Sequence, residues 1–278
     1  MKVFLTGGTG FIGSHFINEL IRQKVEVKAL RRNKKSIPRF PLISKPLWIT
    51  KEIHEVTVKD LSDCDVLIHL AAHSPNVPYD NIENCISENV IKPILLFKIA
   101  FKAGIKKLLV VGTGFEYGEM GEQYDFIPTE APLLPTQTYP ASKAMASIAF
   151  RQLANENKAI LSYQRIFHVY GEGEKKERFY PSLKFAAKNK LDFDMTKGEQ
   201  VRDFIYVKDL TKILYQKLIL LNEINKPRVI FENVGSGNPK SIKEFAEEIW
   251  SFYNAKGNLN VGVLPYREGE VMRYVPKI

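Results

Sequence analysis

Two textures alternate along the first two thirds of the chain. Short, nearly unbroken apolar runs occur at KVFLT (2–6), VEVKAL (25–30), LWIT (47–50), DVLIHL (65–70), KLLVV (107–111) and AILSYQRIF (159–167). Between several of them the apolar positions spread to helical spacing, at 14–23, 83–103 and 139–156. Strands that are apolar on both faces need cover on both faces, and helices crossing between parallel strands supply it. The expected fold is a doubly wound α/β architecture with a parallel sheet. Within 83–103, Pro93 lacks an amide donor and presses on the preceding turn, which predicts a kink, and Gly104 predicts the stop.

Beyond residue 170 the pattern changes. GEGEKKERF (171–179) reads as a polar loop, followed by a short helix, a strand at RDFIYV (202–207) and a helix at 209–221. A strand at RVIFENV (228–234), a turn at GSGNP and an amphipathic helix at SIKEFAEEIWSFY (241–253) complete the series. This predicts a first domain over 1–170 and a smaller, substrate-binding domain over 171–278, with segments such as 203–210 and 228–234 returning to the first.

Composition narrows the class. A chain of 278 residues with 45% hydrophobic content can bury one large domain or a large and a small one, and 26% charged residues argue against disorder. No apolar run reaches the ~18 residues of a membrane span, and MKVFLTGG enters a strand directly, unlike a secretory signal, so a cytoplasmic protein is expected. Cys64 and Cys85 are too few and too unpatterned for a disulfide framework or a zinc site, and no metal is expected. The formal net charge is +9, yet Lys106, Lys107, Lys175, Lys176, Lys184, Lys188 and Lys190 are scattered without a nucleic-acid motif. The excess is read as a solvated surface with pockets for phosphate-bearing small molecules, not as a nucleic-acid footprint.

Chemistry concentrates in three places. TGGTGFIG (6–13) follows the first strand and opens the first helix, so Gly7, Gly10 and Gly13, or Gly8, Gly10 and Gly13, can bring backbone amides close to a dinucleotide pyrophosphate. In TYPASKAMAS (138–147), Tyr139 and Lys143 share one helix face. A free tyrosine titrates near pH ~10; a nearby ammonium favours the phenolate and is expected to bring Tyr139 into range for proton exchange with a carbonyl or alcohol. VVGTGFEYG (110–118) ends the fifth strand at its carboxyl end, where open α/β sheets build their sites, and there Thr113 can donate to a substrate oxygen.

The glycine loop, Thr113 and the Tyr139–Lys143 pair together resemble the short-chain dehydrogenase/reductase family, in its extended, nucleotide-sugar-modifying branch. HLAA (69–72), ENVIKP (88–93), QRIFHVYG (164–171), VRDFIYVKDL (201–210) and YREGE (266–270) resemble that branch's landmarks in its order. The resemblance implies a Rossmann domain and assigns Tyr139 as catalytic acid/base, Lys143 as its tuner and a nicotinamide-ribose ligand, and Thr113 as the hydroxyl that orients the carbonyl. It assigns Gly7, Gly10, Phe11, Ile12 and Gly13 to the cofactor, together with Leu70, Ala71, Ala72 and Asn89. Arg202 and Arg267 resemble the arginines that hold the substrate's pyrophosphate, and Glu270 an acid on its ribose. His168 stands where the family usually has Asn, and is read as a substrate contact in preference to a satisfied core histidine. The adenine-touching acid that usually follows the third strand has no clear counterpart around Lys51–Glu52. A homodimer built from 83–103 and 139–156 is also implied.

Cofactor and reaction follow from departures. LRRN (30–33) closes the second strand where an acid often holds the ribose of NAD; Arg31 and Arg32 suit a 2′-phosphate instead, so NADP(H) is expected over NAD. The branch's dehydratases carry Asp-Glu directly after the catalytic Thr; here Gly114 and Phe115 follow, and Glu116, one place later, is expected to position Tyr117. The expectation is NADPH-dependent reduction of a nucleoside-diphosphate 4-keto-6-deoxy sugar in bacterial surface-polysaccharide synthesis, as in the CDP-abequose and CDP-paratose synthases. A nucleotide-sugar epimerase is the alternative. A catalytically silent NADPH sensor is disfavoured, because it would need none of Thr113, Tyr139 and Lys143.

Overall fold

Strands β1 (Lys2–Thr6), β2 (Glu26–Arg31), β3 (Leu47–Thr50), β4 (Val66–His69), β5 (Lys107–Thr113) and β6 (Ile160–Ile166) form where the apolar runs predict them. Between them lie α1 (Phe11–Arg22), α2 (Val58–Leu61), α3 (Ile82–Ile86), α4 (Lys92–Lys102) and α5 (Thr138–Glu156). Then follow β7 (Val169–Tyr170), α6 (Phe179–Asn189), β8 (Phe193–Met195), β9 (Val201–Asp203), β10 (Ile205–Tyr206) and α7 (Val207–Glu223). The chain ends with β11 (Arg228–Val234), β12 (Pro239–Ser241), α8 (Ile242–Phe252), β13 (Leu259–Val261) and β14 (Arg273–Tyr274). The structure, a computed structural model, describes residues 1–267 and 269–278; Glu268, in the YREGE run, lies outside them.

Seven strands form one sheet in the order β11-β6-β5-β4-β1-β2-β3, with every neighbouring pair parallel. On one face Phe4, Leu67, Leu108 and Leu161 pack with Phe97 of α4 and Phe150 of α5. On the other, Val3, Leu5, Ile68 and Leu109 pack with Phe16 and Leu20 of α1 and with Leu210, Leu214 and Leu218 of α7. The sheet is thus buried on both faces, as a doubly wound fold requires. α7 and β11 belong to this layer although they follow the change in texture: Asn233 pairs with Arg165, and Val234 with Ile166. Strand order reverses between β1 and β4, which opens a crevice at their carboxyl ends.

Outside this sheet, β10 pairs with β7, and β9 lies between antiparallel β12 and parallel β14. Leu183 of α6, Met195 and Ala246 of α8 make a separate apolar cluster. No helix among the described residues is long and apolar enough to cross a membrane.

Two local expectations change. The single strand expected at 202–207 is two, β9 and β10, in different sheets. Between them Phe204 stacks on Phe245 of α8, with ring centroids 4.0 Å apart, and this anchor turns the chain. The kink expected at Pro93 is a π-helical stretch, Ser87–Ile91, between α3 and α4. There the Lys92 amide bonds to the Ser87 carbonyl, and the widened turn makes room for a proline in the first turn of α4.

His69 closes β4 fully buried, with Nδ1 2.8 Å from Thr6 Oγ1. Burial, reinforced by the charge of Lys143, pushes its pKa down to about 3. Below about pH 6.5 the unfolded chain takes up a proton at this residue that the folded chain refuses. Its contribution to stability is therefore complete above that pH and is lost as the pH falls through the acid range. Urea titrations between pH 7 and pH 4 are expected to give a shallower loss of stability in His69→Gln than in the parent chain. Equal slopes would contradict a neutral, buried imidazole.

Candidate functional site

A cavity of about 650 Å³ opens at the carboxyl ends of the central strands. The TGGTGFIG loop walls one end, and its glycines are sterically required. Gly7 has φ +76°, and a Cβ there would lie 2.6 Å from the Ala71 amide; a Cβ at Gly13 would lie 2.1 Å from the Gly7 carbonyl. Gly10 caps α1 with extended backbone, no side-chain cap covers its amides, and the first turn holds no acid. The positive end of a 12-residue helix thus faces the cavity, which fits a dinucleotide's pyrophosphate. Gly7, Gly10 and Gly13 line the cavity with Phe11 and Ile12, and Leu70, Ala71 and Ala72 line it from the end of β4.

Arg31 and Arg32 line the cavity beyond this loop. Arg31 Nε donates to Thr50 Oγ1 at 3.0 Å, and its guanidinium lies 5.3 Å from the Trp48 ring centroid. Arg32 Nε is 3.6 Å from Glu52 Oε1. Glu52 and Ile53, after β3, line the same cavity, so a carboxylate stands on the wall where the sequence offered no clear counterpart of the adenine-touching acid. Glu52 caps the short 3₁₀ turn Ile53–Glu55 in a reciprocal box with Glu55.

Thr113, Tyr139 and Lys143 converge on the cavity from β5 and α5. Lys143 is buried, donates from Nζ to the Val111 carbonyl at 3.0 Å, and has its pKa pushed down by burial against the opposing charge of Glu116. Burial, with Glu116 and Tyr79 adding to it, holds the Tyr139 hydroxyl well above its usual range. The expected lowering of Tyr139 by Lys143 is therefore corrected: the ammonium is directed at a backbone carbonyl, and burial dominates. A tyrosine in this state keeps its proton.

Glu116 departs from expectation most informatively. Thr113 caps a short 3₁₀ turn, Gly114–Tyr117, and its Oγ1 accepts from the Phe115 amide at 3.3 Å. Glu116 is fully buried; Oε1 accepts from the Thr113 amide at 2.9 Å and the Tyr163 hydroxyl at 2.8 Å, and Oε2 from Arg165 Nε at 2.9 Å. It holds Thr113, not Tyr117. Arg165 reaches Tyr117, donating to its hydroxyl at 3.0 Å and to the Thr129 carbonyl at 3.1 Å. Tyr117 in turn donates to Asn233 Oδ1 of β11 at 2.7 Å.

The remaining expected residues divide. Asn89 does not line the cavity: its Oδ1 accepts from the His73 amide at 2.7 Å, and its Nδ2 donates to the His73 carbonyl and to Ser142 Oγ at 2.9 Å. It pins the loop after β4 against α5. His168 lines the cavity with its ring edge-on to Phe115, centroids 5.4 Å apart. Burial, then the charges of Arg202 and Arg178, push the His168 pKa well below its usual value. Arg202 donates to Glu270 Oε1 at 3.1 Å and to the Val271 and Val201 carbonyls, while the adjacent Asp203 accepts from the Ser236 and Gly237 amides. Arg202 and Glu270 thus neutralise each other, and Arg267 is exposed. Among the described residues the cavity wall includes none of these three. It does include Glu174 and Arg178, for which the only sequence signal was the polarity of 171–179.

Removing the charge of Glu116 leaves the Arg165 guanidinium buried and uncompensated. Glu116→Gln is expected to cost about 3–5 kcal/mol in urea unfolding. Lys212→Ala, which breaks an exposed pair with Asp209, is expected to cost less than about 1 kcal/mol. Similar values for the two would contradict the role given to the buried pair.

Comparison with known proteins agrees with this geometry. Residues 3–234 match the family described as NAD dependent epimerase/dehydratase. The chain is 27% identical to a CDP-abequose synthase of Salmonella muenchen, over 98% of this chain and 87% of that one. It is 28% identical to a dTDP-4-dehydro-6-deoxyglucose reductase of Escherichia coli, over 91% and 82%. Among solved structures, the UDP-N-acetylglucosamine 4-epimerase from Methanobrevibacter ruminantium M1, in complex with UDP-N-acetylmuramic acid, is 25% identical and superimposes with a TM-score of 0.85, covering 100% of this chain and 89% of that one. The chain belongs to the NAD dependent epimerase/dehydratase family.

Proposed function

We propose that this protein is an NADPH-dependent reductase of a nucleoside-diphosphate 4-keto-6-deoxy sugar, acting in surface-polysaccharide synthesis. The observation that carries the reading is the meeting of Thr113, Tyr139 and Lys143 in the cavity that the glycine loop walls, with Gly114 and Phe115 where dehydratases have adjacent acids. The two curated relatives named above, a sugar synthase and a 4-dehydro-sugar reductase, support it.

The nicotinamide, when bound, supplies hydride for C4 of the sugar. Tyr139, kept protonated by burial, donates its proton to the C4 oxygen, so the carbonyl becomes an alcohol. Thr113 donates to the same oxygen, from a turn fixed by Glu116. Lys143, one turn on from Tyr139 along α5, is the residue proposed to tune it and to hold the nicotinamide ribose. The glycine loop and Leu70–Ala72 hold the dinucleotide, and Asn89 steadies that wall from behind. Arg202 and Arg267 remain the arginines proposed for the diphosphate; Arg202 meets it only by exchanging its bond to Glu270. A homodimer is proposed on the face carrying exposed Ile91, Leu95, Met145 and Ile148, along the π stretch, α4 and α5.

Arg31 and Arg32 support NADPH over NADH. Since a hydrogen bond to a charged group contributes ~1.5–3 kcal/mol, Ala at either position is expected to weaken NADPH binding roughly 10- to 100-fold and to leave NADH binding nearly unchanged. Equal losses for both cofactors in calorimetry would remove the 2′-phosphate reading.

A second reading, a 4-epimerase, is favoured by the structural neighbour of that activity. Labelled cofactor separates the two. With a CDP- or dTDP-4-keto-6-deoxyhexose and NADPH deuterated at the transferable position, reduction predicts stoichiometric loss of nicotinamide absorbance and one deuterium at C4 of the product. Interconversion of 4-hydroxy sugars with no added cofactor and no label uptake would establish the epimerase instead.

A further inference from the structure

The loop between β7 and α6 carries a carboxylate in an unusual state. The Glu174 side chain is 8% exposed yet lines the cavity. Its Oε1 accepts from Arg178 Nε at 3.1 Å, while Oε2 is buried and has no hydrogen-bond partner among the described residues. Burial pushes the Glu174 pKa up, and Arg178 opposes this. His168 Nδ1, on the same cavity, is also buried and unpartnered. Buried polar atoms are paired almost everywhere in folded proteins, and these two orphans belong to residues of one cavity wall, where a ligand can supply the missing partner.

Arg178 fixes where this pair lies. Its guanidinium holds Glu174, sits 3.4 Å from Asn76 Oδ1 of the loop after β4, and is near enough to bear on the charge states of Tyr139, Tyr79 and His168. Arg178 therefore ties Glu174 to the side of the cavity that carries Tyr139 and His168. A free carboxylate oxygen repels phosphate oxygens and accepts from hydroxyl groups, and a neutral imidazole, with one donor and one acceptor nitrogen, can pair with a hydroxyl in either sense. Phe115, exposed beside His168, gives that end an apolar patch suited to a methyl group.

We infer that Glu174, braced by Arg178 and acting with His168, is a hydroxyl-recognition subsite for the hexose, so that the substrate keeps a free hydroxyl next to the reacting carbon. The inference rests on the nucleotide-sugar reading above and adds a specificity residue to it. It predicts discrimination between a 6-deoxy sugar bearing the C3 hydroxyl and its 3,6-dideoxy counterpart.

The test is calorimetry on the NADP-loaded protein with CDP- or dTDP-6-deoxyglucose, its 3,6-dideoxy counterpart, and the matching nucleoside diphosphate. In the parent protein the hydroxylated sugar is expected to bind about ten- to a hundred-fold more tightly than the 3,6-dideoxy counterpart. Glu174→Gln is expected to erase most of that difference and to leave the nucleoside diphosphate affinity within about two-fold. Should Glu174→Gln fail to bind NADPH, Glu174→Asp, which withdraws the carboxylate by one methylene, is read in the same way. Equal weakening of sugar and nucleoside diphosphate would assign Glu174 to the diphosphate or to loop structure and overturn the subsite. Unchanged discrimination would overturn it as well. A parent protein that binds NADPH but none of the nucleotide ligands would overturn the nucleotide-sugar reading itself, a result distinct from both.

Discussion

A carboxylate and a guanidinium, both withdrawn from water, join the ends of β5 and β6. Desolvating Glu116 and Arg165 costs several kcal/mol per charge, and only close pairing with every other lone pair and proton satisfied offsets it. Glu116 reaches that state by accepting from three donors, one on β5 and two on β6, and Arg165 by donating to Glu116, Tyr117 and Thr129. The Thr113 amide is one of those donors, so the hydroxyl proposed to orient the substrate is held by the same pair that fastens the two strands. The charge of Glu116 also bears on Tyr139 and Lys143, raising both. Through Tyr117 and Asn233 the network reaches β11, and Asn233 Nδ2 continues it to the Ile127 carbonyl at 2.8 Å.

The other constraint is steric. The glycine loop lies so close to Leu70, Ala71 and the first turn of α1 that side chains at Gly7 and Gly13 would overlap backbone atoms. That closeness leaves the α1 amides facing the crevice between β1 and β4, where an anion can reach them. The Thr6–His69 contact ties these two strands at the same level, and the Ala71 amide donates to Thr6 Oγ1 at 3.3 Å. The glycine loop and the Thr113, Tyr139 and Lys143 cluster thus stand at two ends of one cavity wall.

Local signals in the sequence were legible. Parallel strands announced themselves as apolar runs, the cradle as glycines between a strand and a helix, and Tyr139–Lys143 as a four-residue spacing on one helix. What escaped depends on contacts between distant segments. Glu116 and Arg165 are 49 residues apart, Asn89 and Ser142 are 53, and Arg202 and Glu270 are 68, and no periodicity links them. The split of RDFIYV depends on a ring in α8. The Tyr139 shift was misjudged in sign because proximity to an ammonium is visible in sequence, whereas complete burial is not. Glu174 was hidden in a charged run in which only the fold distinguishes a buried carboxylate from Lys175, Lys176 and Glu177, all exposed.

The most direct measurement is a crystal structure of the ternary complex with NADP and a nucleoside-diphosphate hexose. The proposed chemistry predicts the pyrophosphate of NADP on the amides after Gly10, its 2′-phosphate between Arg31 and Arg32, and C4 of the hexose between the nicotinamide and Tyr139, with the C4 oxygen within hydrogen-bond reach of Thr113 and Tyr139. Density placing the sugar outside this cavity, or the C4 oxygen beyond reach of Tyr139, would contradict it.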